Sequence, residues 1–322
     1  MELPATLRQA ADEILEGVSL HDLRRAAERL SQRYRGEVLD GCLHVSDVLA
    51  AKAYLVTRLP ATYAAIRQSL AETARRNAEC QPKSLLDIGS GPGTALWAAL
   101  EEWPQIEEAV LVEASSPMRE TGQRLARSLN LKRLSWRALK AEDLSGQAEP
   151  AELVTLCYVL DELAPAFRDL LVKRLWTLSL RMLVIVEPGT PAGWQRIMAA
   201  REILLKAGAH ILAPCPHYAP CPVAPPDWCH FSRRVARSRL HRLAKGGDVP
   251  WEDEKFIYLA ASRTATRQVG LRVLTPPRTA SGAIRLKLCG PDGKLEERLV
   301  TRREGRAFKA ARRIEWGDML EL

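Results

Sequence analysis

Two hydrophobic periods divide the chain. In the first 80 residues apolar positions recur at helical spacing. Leu7, Ala11, Ile14 and Leu15 make one stripe, and Ser19 is placed to cap a second helix through Leu23, Ala26 and Leu30. Ser46 opens a third helix, which Pro60 interrupts, and a fourth covers roughly Ala61 to Asn77. After residue 80 short apolar runs take over, with helical stretches between them. Leu85, Leu86 and Ile88 end a first strand, and Ala109 to Val112 form a second that stops at Glu113. Leu134 to Leu139 make a third strand and Leu153 to Leu160 a fourth, which runs into Asp161-Glu162. Met182 to Val186 make a fifth, ending at Glu187. Helices are expected around 94–103, 117–129 and 191–208. Strands alternating with helices predict an α/β fold with a parallel, doubly wound sheet.

The first strand runs through Asp87 into Gly89-Ser90-Gly91-Pro92-Gly93, and Thr94 is placed to cap the helix that follows. Glycines between a strand and a helix start make an anion site: a ligand can approach the backbone, and free N–H groups point at it. The dinucleotide fingerprint is G-x-G-x-x-G, whereas this loop reads G-x-G-x-G behind an acid. That pattern resembles motif I of class I S-adenosylmethionine (SAM) methyltransferases. The resemblance implies a loop that holds the methionine end of the cofactor and an acid, Asp87, that holds its amino group. It also implies that Glu113, at the end of the second strand, bonds the ribose hydroxyls. An NAD site would share the spacing from Gly93 to Glu113. An acid is usual after the third strand, where Lys140 stands here, with Glu142 and Asp143 just beyond. Around Tyr158 to Glu162 no general base or nucleophile can be named. Cys157 lacks the flanks of a methyltransferase nucleophile and reads as a small buried residue.

Charge changes the picture by its placement. The chain has 47 Lys+Arg against 39 Asp+Glu, a net of +8. His230 to Leu322 hold 21 of the basic and 11 of the acidic residues, so all the excess positive charge lies in the C-terminal third. Such asymmetry is the footprint of a nucleic-acid partner. Six arginines and lysines fall between Ser232 and Lys245, in what reads as a helical stretch. Arg302, Arg303, Arg306, Lys309, Arg312 and Arg313 form a second group. Few aromatics interleave with them, which favours phosphate and shape contacts on structured RNA over single-strand stacking. No apolar run is long enough to span a membrane, and neither a membrane nor a DNA partner is expected. Glu2, Asp12, Glu13 and Glu16 in the first twenty residues fit neither a signal nor a transit peptide, so a cytoplasmic location is expected.

Between Pro214 and Pro226 there are six prolines, so neither helix nor sheet can organise the stretch. It carries Cys215, Cys221 and Cys229. Where thiols stay reduced, such a cluster suggests a soft metal site rather than a disulfide. Cys289 is the first choice for a fourth ligand, with His217 and His230 as alternatives. No C-x₂₋₄-C knuckle of a zinc site is present, and four thiolates without knuckles suit an iron–sulfur cluster at least as well, with zinc as the alternative. Beyond it, Ala283–Leu288 and Leu295–Thr301 flank Pro291-Asp292-Gly293, a hairpin signal.

Cys215-Pro216-His217, Cys221-Pro222, Asp227-Trp228-Cys229-His230-Phe231 and Leu288-Cys289-Gly290-Pro291-Asp292-Gly293 together resemble the family of mitochondrial methyltransferase-like protein 17 and its bacterial relatives. Ser90-Gly91-Pro92-Gly93-Thr94-Ala95, Tyr158 to Leu163 and the closing Trp316-Gly317-Asp318 are similar too. The likeness covers nearly the whole chain. It implies a class I SAM-methyltransferase (Rossmann-like) fold and a [4Fe–4S] cluster on Cys215, Cys221, Cys229 and Cys289. It also implies association with the small ribosomal subunit during maturation. Cys42, Cys80 and Cys157 match nothing in it. The expected organisation is a helical cap (1–80), a SAM-binding domain (81–210), a cysteine-rich metal insertion with a basic helix (211–255), and a final sheet strand with a basic β extension (256–322). The expected cofactor-binding residues are Asp87, Gly89, Ser90, Gly91, Gly93 and Glu113. The expected function is that of a SAM-dependent methyltransferase-like protein acting on small-subunit rRNA, in subunit maturation and translation. The alternative is a non-catalytic assembly factor that uses the fold and the cluster only to bind rRNA.

Overall fold

The computed structural model describes every residue except 37–41, 145, 147, 267–268 and 322, so the last expected boundary falls outside the described residues. Four helices come first: α1 (Ala5–Leu15), α2 (Leu20–Arg35), α3 (Val48–Thr57) and α4 (Leu59–Arg76). Helices α1 and α2 bury one stripe each, Leu7, Ala11, Ile14 and Leu15 in α1 and Leu23, Ala26, Ala27 and Leu30 in α2. In α3 residues on every side are buried, as befits a helix that is apolar all round. Its cap is Asp47, whose carboxylate accepts the Ala50 N–H at 2.7 Å, rather than the expected Ser46.

Strands and helices then alternate: β1 (Ser84–Ile88), α5 (Thr94–Glu102), β2 (Glu108–Val112), α6 (Ser116–Leu125), β3 (Arg133–Arg137), β4 (Ala151–Cys157), α7 (Pro165–Leu178), β5 (Ser179–Pro188), α8 (Pro191–Lys206), β6 (His210–Ala213), β7 (Phe231–Ala236), α9 (Arg239–Lys245) and β8 (Trp251–Ser262). The main sheet runs β3-β2-β1-β4-β5-β8-β6. Neighbours from β3 to β5 are parallel. β8 is antiparallel to both β5 and β6 and inserts between them. A parallel sheet that reverses order at β1/β4 and takes an antiparallel strand before its last is the class I methyltransferase fold. The reversal opens a crevice at the carboxyl ends of β1 and β4. Helix α4 packs on α5 and on the β5–β8 side of the sheet, so the N-terminal helices and the sheet share one core.

Residues Ser232 to Ala236, expected as helix, form β7 on the first half of β8. Arginines at helical spacing suggested the helix; the register explains the strand. Arg233 lies opposite Glu254 and Arg234 opposite Asp253, so opposite charges meet across the ladder. Arg234 pairs with Asp253 at 2.8 Å, and Arg237 and Lys245 both reach Glu252. Much of this first basic group is thereby neutralised.

A second sheet closes the chain: β9 (Leu271–Val273), β10 (Arg278–Ala280), β11 (Ala283–Cys289), β12 (Leu295–Thr301) and β13 (Met319–Leu320), with the short helix α10 (Arg306–Ala311) packed on it. Its core is small: Val273, Ile284, Leu286, Leu288, Val300, Ala311 and Leu320. The expected hairpin joins β11 to β12, with Gly293 at φ +76° in the turn. Buried Arg272 clamps this sheet to the rest. Its guanidinium donates to Pro214 O at 2.8 Å, Gly317 O at 2.5 Å and the Glu72 carboxylate of α4 at 2.7 Å.

Candidate functional site

The switch-point crevice is a cleft of about 1110 Å³, open solvent included, into which Gly89, Gly91, Glu113, Lys140 and Tyr158 face. Asp87 lies beneath the loop, fully buried at the end of β1. Thr155 of β4 donates to one of its oxygens at 2.7 Å, while the other has no partner. Burial, with the nearby Glu113 adding to it, pushes the Asp87 carboxyl up to about 7. The hydroxyls of Ser90 and Thr94 are also buried and unpartnered, and all three residues border one small recess. Buried polar atoms are nearly always satisfied, so three orphans around one loop mark a place built for a polar ligand.

Gly89, Gly91 and Gly93 all take positive φ, at +63°, +53° and +83°. Gly93 itself occupies the N-cap of α5, and Thr94 is the first residue inside the helix, not the cap expected of it. Glu113 reaches back under the loop. One carboxylate oxygen accepts the Gly91 N–H at 2.8 Å and the other the Ser115 N–H at 2.7 Å. Each oxygen keeps a free lone pair for a ligand hydroxyl. Lys140 and Glu142 line the cleft where an acid is usual.

The opposite wall was not legible in the sequence. Tyr158 follows β4 with φ +60°, a backbone that costs a bulky residue about 1–2 kcal/mol. Its hydroxyl donates to Glu254 at 3.1 Å, and Arg58 reaches the same oxygen at 3.3 Å. His44 stands 3.8 Å from Glu162 and packs its ring against Tyr34 at 4.9 Å. Burial and the neighbouring Asp161 hold the Glu162 carboxyl well above its ordinary value. Glu187, fully buried at the end of β5, accepts from Leu160 N–H and pairs with Arg196 at 2.7 Å, which braces the loop after β4.

The four cysteines singled out by the sequence converge at the junction of the two sheets. Cys215 follows β6, Cys229 precedes β7, Cys289 ends β11, and Cys221 lies in the proline-rich loop between the first two. Residues 214–230 contain no helix or strand. Trp194, Val223, Leu274 and Cys289 pack there with Cys221, Trp228 and Cys229. Burial, and the field of neighbouring thiols, raises the Cys215, Cys229 and Cys289 thiols, the last to about 12. The alternatives to Cys289 separate in space. His217 is buried and places Nε2 3.3 Å from Cys289 Sγ, whereas His230 stacks on Trp228 and meets Trp316 edge to face. None of the seven cysteines is in a disulfide. Among the described residues no group of three or more His, Cys, Asp or Glu side chains is placed so that it could hold a metal ion.

A family model described as "Mitochondrial small ribosomal subunit Rsm22" matches residues 48–321. The chain is 29% identical to "Ribosome assembly protein METTL17, mitochondrial" of Homo sapiens, covering 97% of this chain and 69% of that one. It is 25% identical to "Rsm22-cox11 tandem protein 2, mitochondrial" of Schizosaccharomyces pombe, covering 84% of this chain and 43% of that one. A solved structure, magnesium protoporphyrin IX methyltransferase from Synechocystis PCC 6803 with bound SAM, aligns with 77% of this chain and 99% of its own at 13% identity and a TM-score of 0.42. These relatives overturn the cytoplasmic expectation, because the family and the curated relatives are mitochondrial. The acids that argued against a transit peptide sit exposed on and beside α1, so they report a folded helix surface rather than a compartment. No described helix is long and apolar enough to cross a membrane. The match over residues 48–321 shows that this chain belongs to the family of the mitochondrial small ribosomal subunit protein Rsm22.

Proposed function

We propose that this chain binds SAM in the glycine-loop cleft and acts on the small ribosomal subunit as a methyltransferase-like, rRNA-binding maturation factor. The observation that carries the reading is the set of unpartnered buried atoms under the loop, Asp87 Oδ2, Ser90 Oγ and Thr94 Oγ1. A half-satisfied carboxylate in a dry pocket suits the amino group of the cofactor's methionine end. Gly89, Gly91 and Gly93 would let the backbone approach it, and Glu113 would take the ribose hydroxyls. Bound SAM would supply an electrophilic methyl group, and methyl transfer needs mainly the positioning of acceptor and donor. In this reading residues 1–80 act as a cap on the cofactor domain of 81–210.

The names of the relatives support the ribosomal partner. The second basic group supports RNA as the surface read. Arg302, Arg303, Arg306, Lys309, Arg312 and Arg313 are all exposed on and beside α10, and none has an ion pair among the described residues. Such a cluster binds phosphates without reading bases. We read Cys215, Cys221, Cys229 and Cys289 as holding a [4Fe–4S] cluster, with zinc as the alternative. Three half-buried thiols on the 214–230 loop and the buried Cys289 at the end of β11 supply the soft donors that either would need, and a centre there would fasten the proline-rich loop to the second sheet.

Asp87 makes the cofactor reading testable by pH. Its carboxyl is neutral below about 7, and only the ionised form attracts an ammonium. SAM affinity measured by calorimetry should therefore rise roughly tenfold between pH 6 and pH 8. Asp87→Asn should flatten the profile at the weaker value. Stability runs the other way. A buried carboxylate raised above its unfolded value of 3.8 keeps its proton only in the folded state, so stability falls as pH rises from about 4 to 7.

The functional test deletes the gene and maps small-subunit rRNA methylation alongside subunit profiles. A methyl mark lost and restored by wild type but not by Gly91→Arg establishes the enzyme. Defective subunits with every mark intact, rescued by that same variant, establish the scaffold instead. Normal subunits with normal marks contradict both.

A further inference from the structure

Beside the thiols lies a buried cation that no carboxylate neutralises. Arg201 of α8 is only 5% exposed. One arm of its guanidinium donates to the carbonyls of His217 at 2.8 Å and Ala219 at 2.9 Å, both in the loop between Cys215 and Cys221. Its Nε is buried and has no partner. The other buried arginines differ: Arg196 of the same helix pairs with Glu187, and Arg272 pairs with Glu72. Among the described residues no carboxylate lies within ion-pair distance of Arg201. A buried charge without a partner is costly, so such a residue points to an anion. Groups able to become anionic there are sulfurs. Its two carbonyl bonds hold the guanidinium against the loop that carries Cys215 and Cys221.

We propose that Arg201 is the counter-ion of an anionic metal–thiolate centre on Cys215, Cys221, Cys229 and Cys289, positioned by its bonds to the His217 and Ala219 carbonyls. The inference rests on the metal reading above. Four thiolates leave a net negative charge whether they surround zinc or an oxidised four-iron cluster. The planar guanidinium can hold the loop with one arm and face sulfur with the rest, which a lysine cannot do as well. Arg201 is thus a positioning and charge-compensating residue, not a metal ligand.

The test uses the full chain, purified without oxygen, as wild type, Arg201→Leu and Arg201→Lys. Iron, sulfide and zinc are assayed first, and then the rate of metal loss to a chelator and the thermal midpoint with and without metal. Arg201→Leu should lose metal at least roughly tenfold faster than wild type, with Arg201→Lys in between. The midpoint should fall further in the metal-loaded state than in the metal-free state, because the missing anion is what Arg201 serves. If the metal is an iron–sulfur cluster, the leucine variant should also be harder to reduce. The ratio of reduced to oxidised cluster should drop about tenfold at the potential where wild type is half reduced, a shift of about 59 mV. Equal losses of stability in both metal states with unchanged metal retention would mean that Arg201 only ties the loop, and would overturn the inference. Wild type that binds neither iron nor zinc would overturn the metal reading itself, and that result is seen before any variant is made.

Discussion

Cys229→Ser should empty the proposed metal centre and free the second sheet while leaving the cofactor fold intact. Cys229 packs against both the main core and the small cluster around Trp194 and Val223, so it stands where the two halves meet. The segment it fastens has little else to hold it. Its 214–230 stretch lacks regular structure, and the second sheet buries a core of only seven residues. A structural metal contributes on the order of 10 kcal/mol, as much as a whole domain's net stability. Removing one ligand therefore costs more than Arg272 and its few bonds can offset. Hydrogen exchange should show β9, β11, β12 and β13 losing protection, with β1, β2 and β4 unchanged. Metal analysis should show loss of iron or zinc in parallel. Full protection of the second sheet in a protein without metal would contradict this account.

Gly89→Ala should damage the cleft far more than Gly91→Ala, although both glycines have positive φ. A methyl at Gly89 would lie 2.3 Å from Val159 Cγ2, on the loop that follows β4. That loop is pinned by Glu187 through the Leu160 N–H and cannot yield freely. Backbone strain and overpacking together are expected to cost about 2–4 kcal/mol and to shift the Tyr158 wall. At Gly91 the nearest atom is the mobile end of Met118 at 3.6 Å, so strain alone remains, about 1 kcal/mol. Denaturant midpoints of the two variants check the order. Equal midpoints would mean that the loop after β4 is softer than its hydrogen bonds indicate.

The places of strands β1 to β5 along the chain were legible because a parallel sheet leaves apolar runs punctuated by glycine, acid and proline. Asp87, the three glycines and Glu113 were legible as local signals at fixed spacing. The opposite wall was not. Arg58 and Glu254 meet across 196 positions of sequence, and His44 reaches Glu162 from the segment between α2 and α3. No local pattern encodes such pairs; only the topology brings them together. The arginines of β7 misled because spacings that suit one helix face also occur in a strand whose partner supplies acids opposite. Thr94 was read as a cap because its residue type favours one, whereas Gly93 at φ +83° takes the position. Arg201 carried no sequence signal at all. It is one arginine among many in an ordinary helix, and its meaning lies in the missing carboxylate.

The central claim is that the crevice at β1/β4 is a SAM site. Titration calorimetry of the intact chain with SAM, S-adenosylhomocysteine and NAD tests it most directly. The account predicts stoichiometric binding of SAM, abolished by Gly91→Arg and weakened by Asp87→Asn, and no binding of NAD. Binding of NAD without SAM, or SAM binding indifferent to both substitutions, would contradict it.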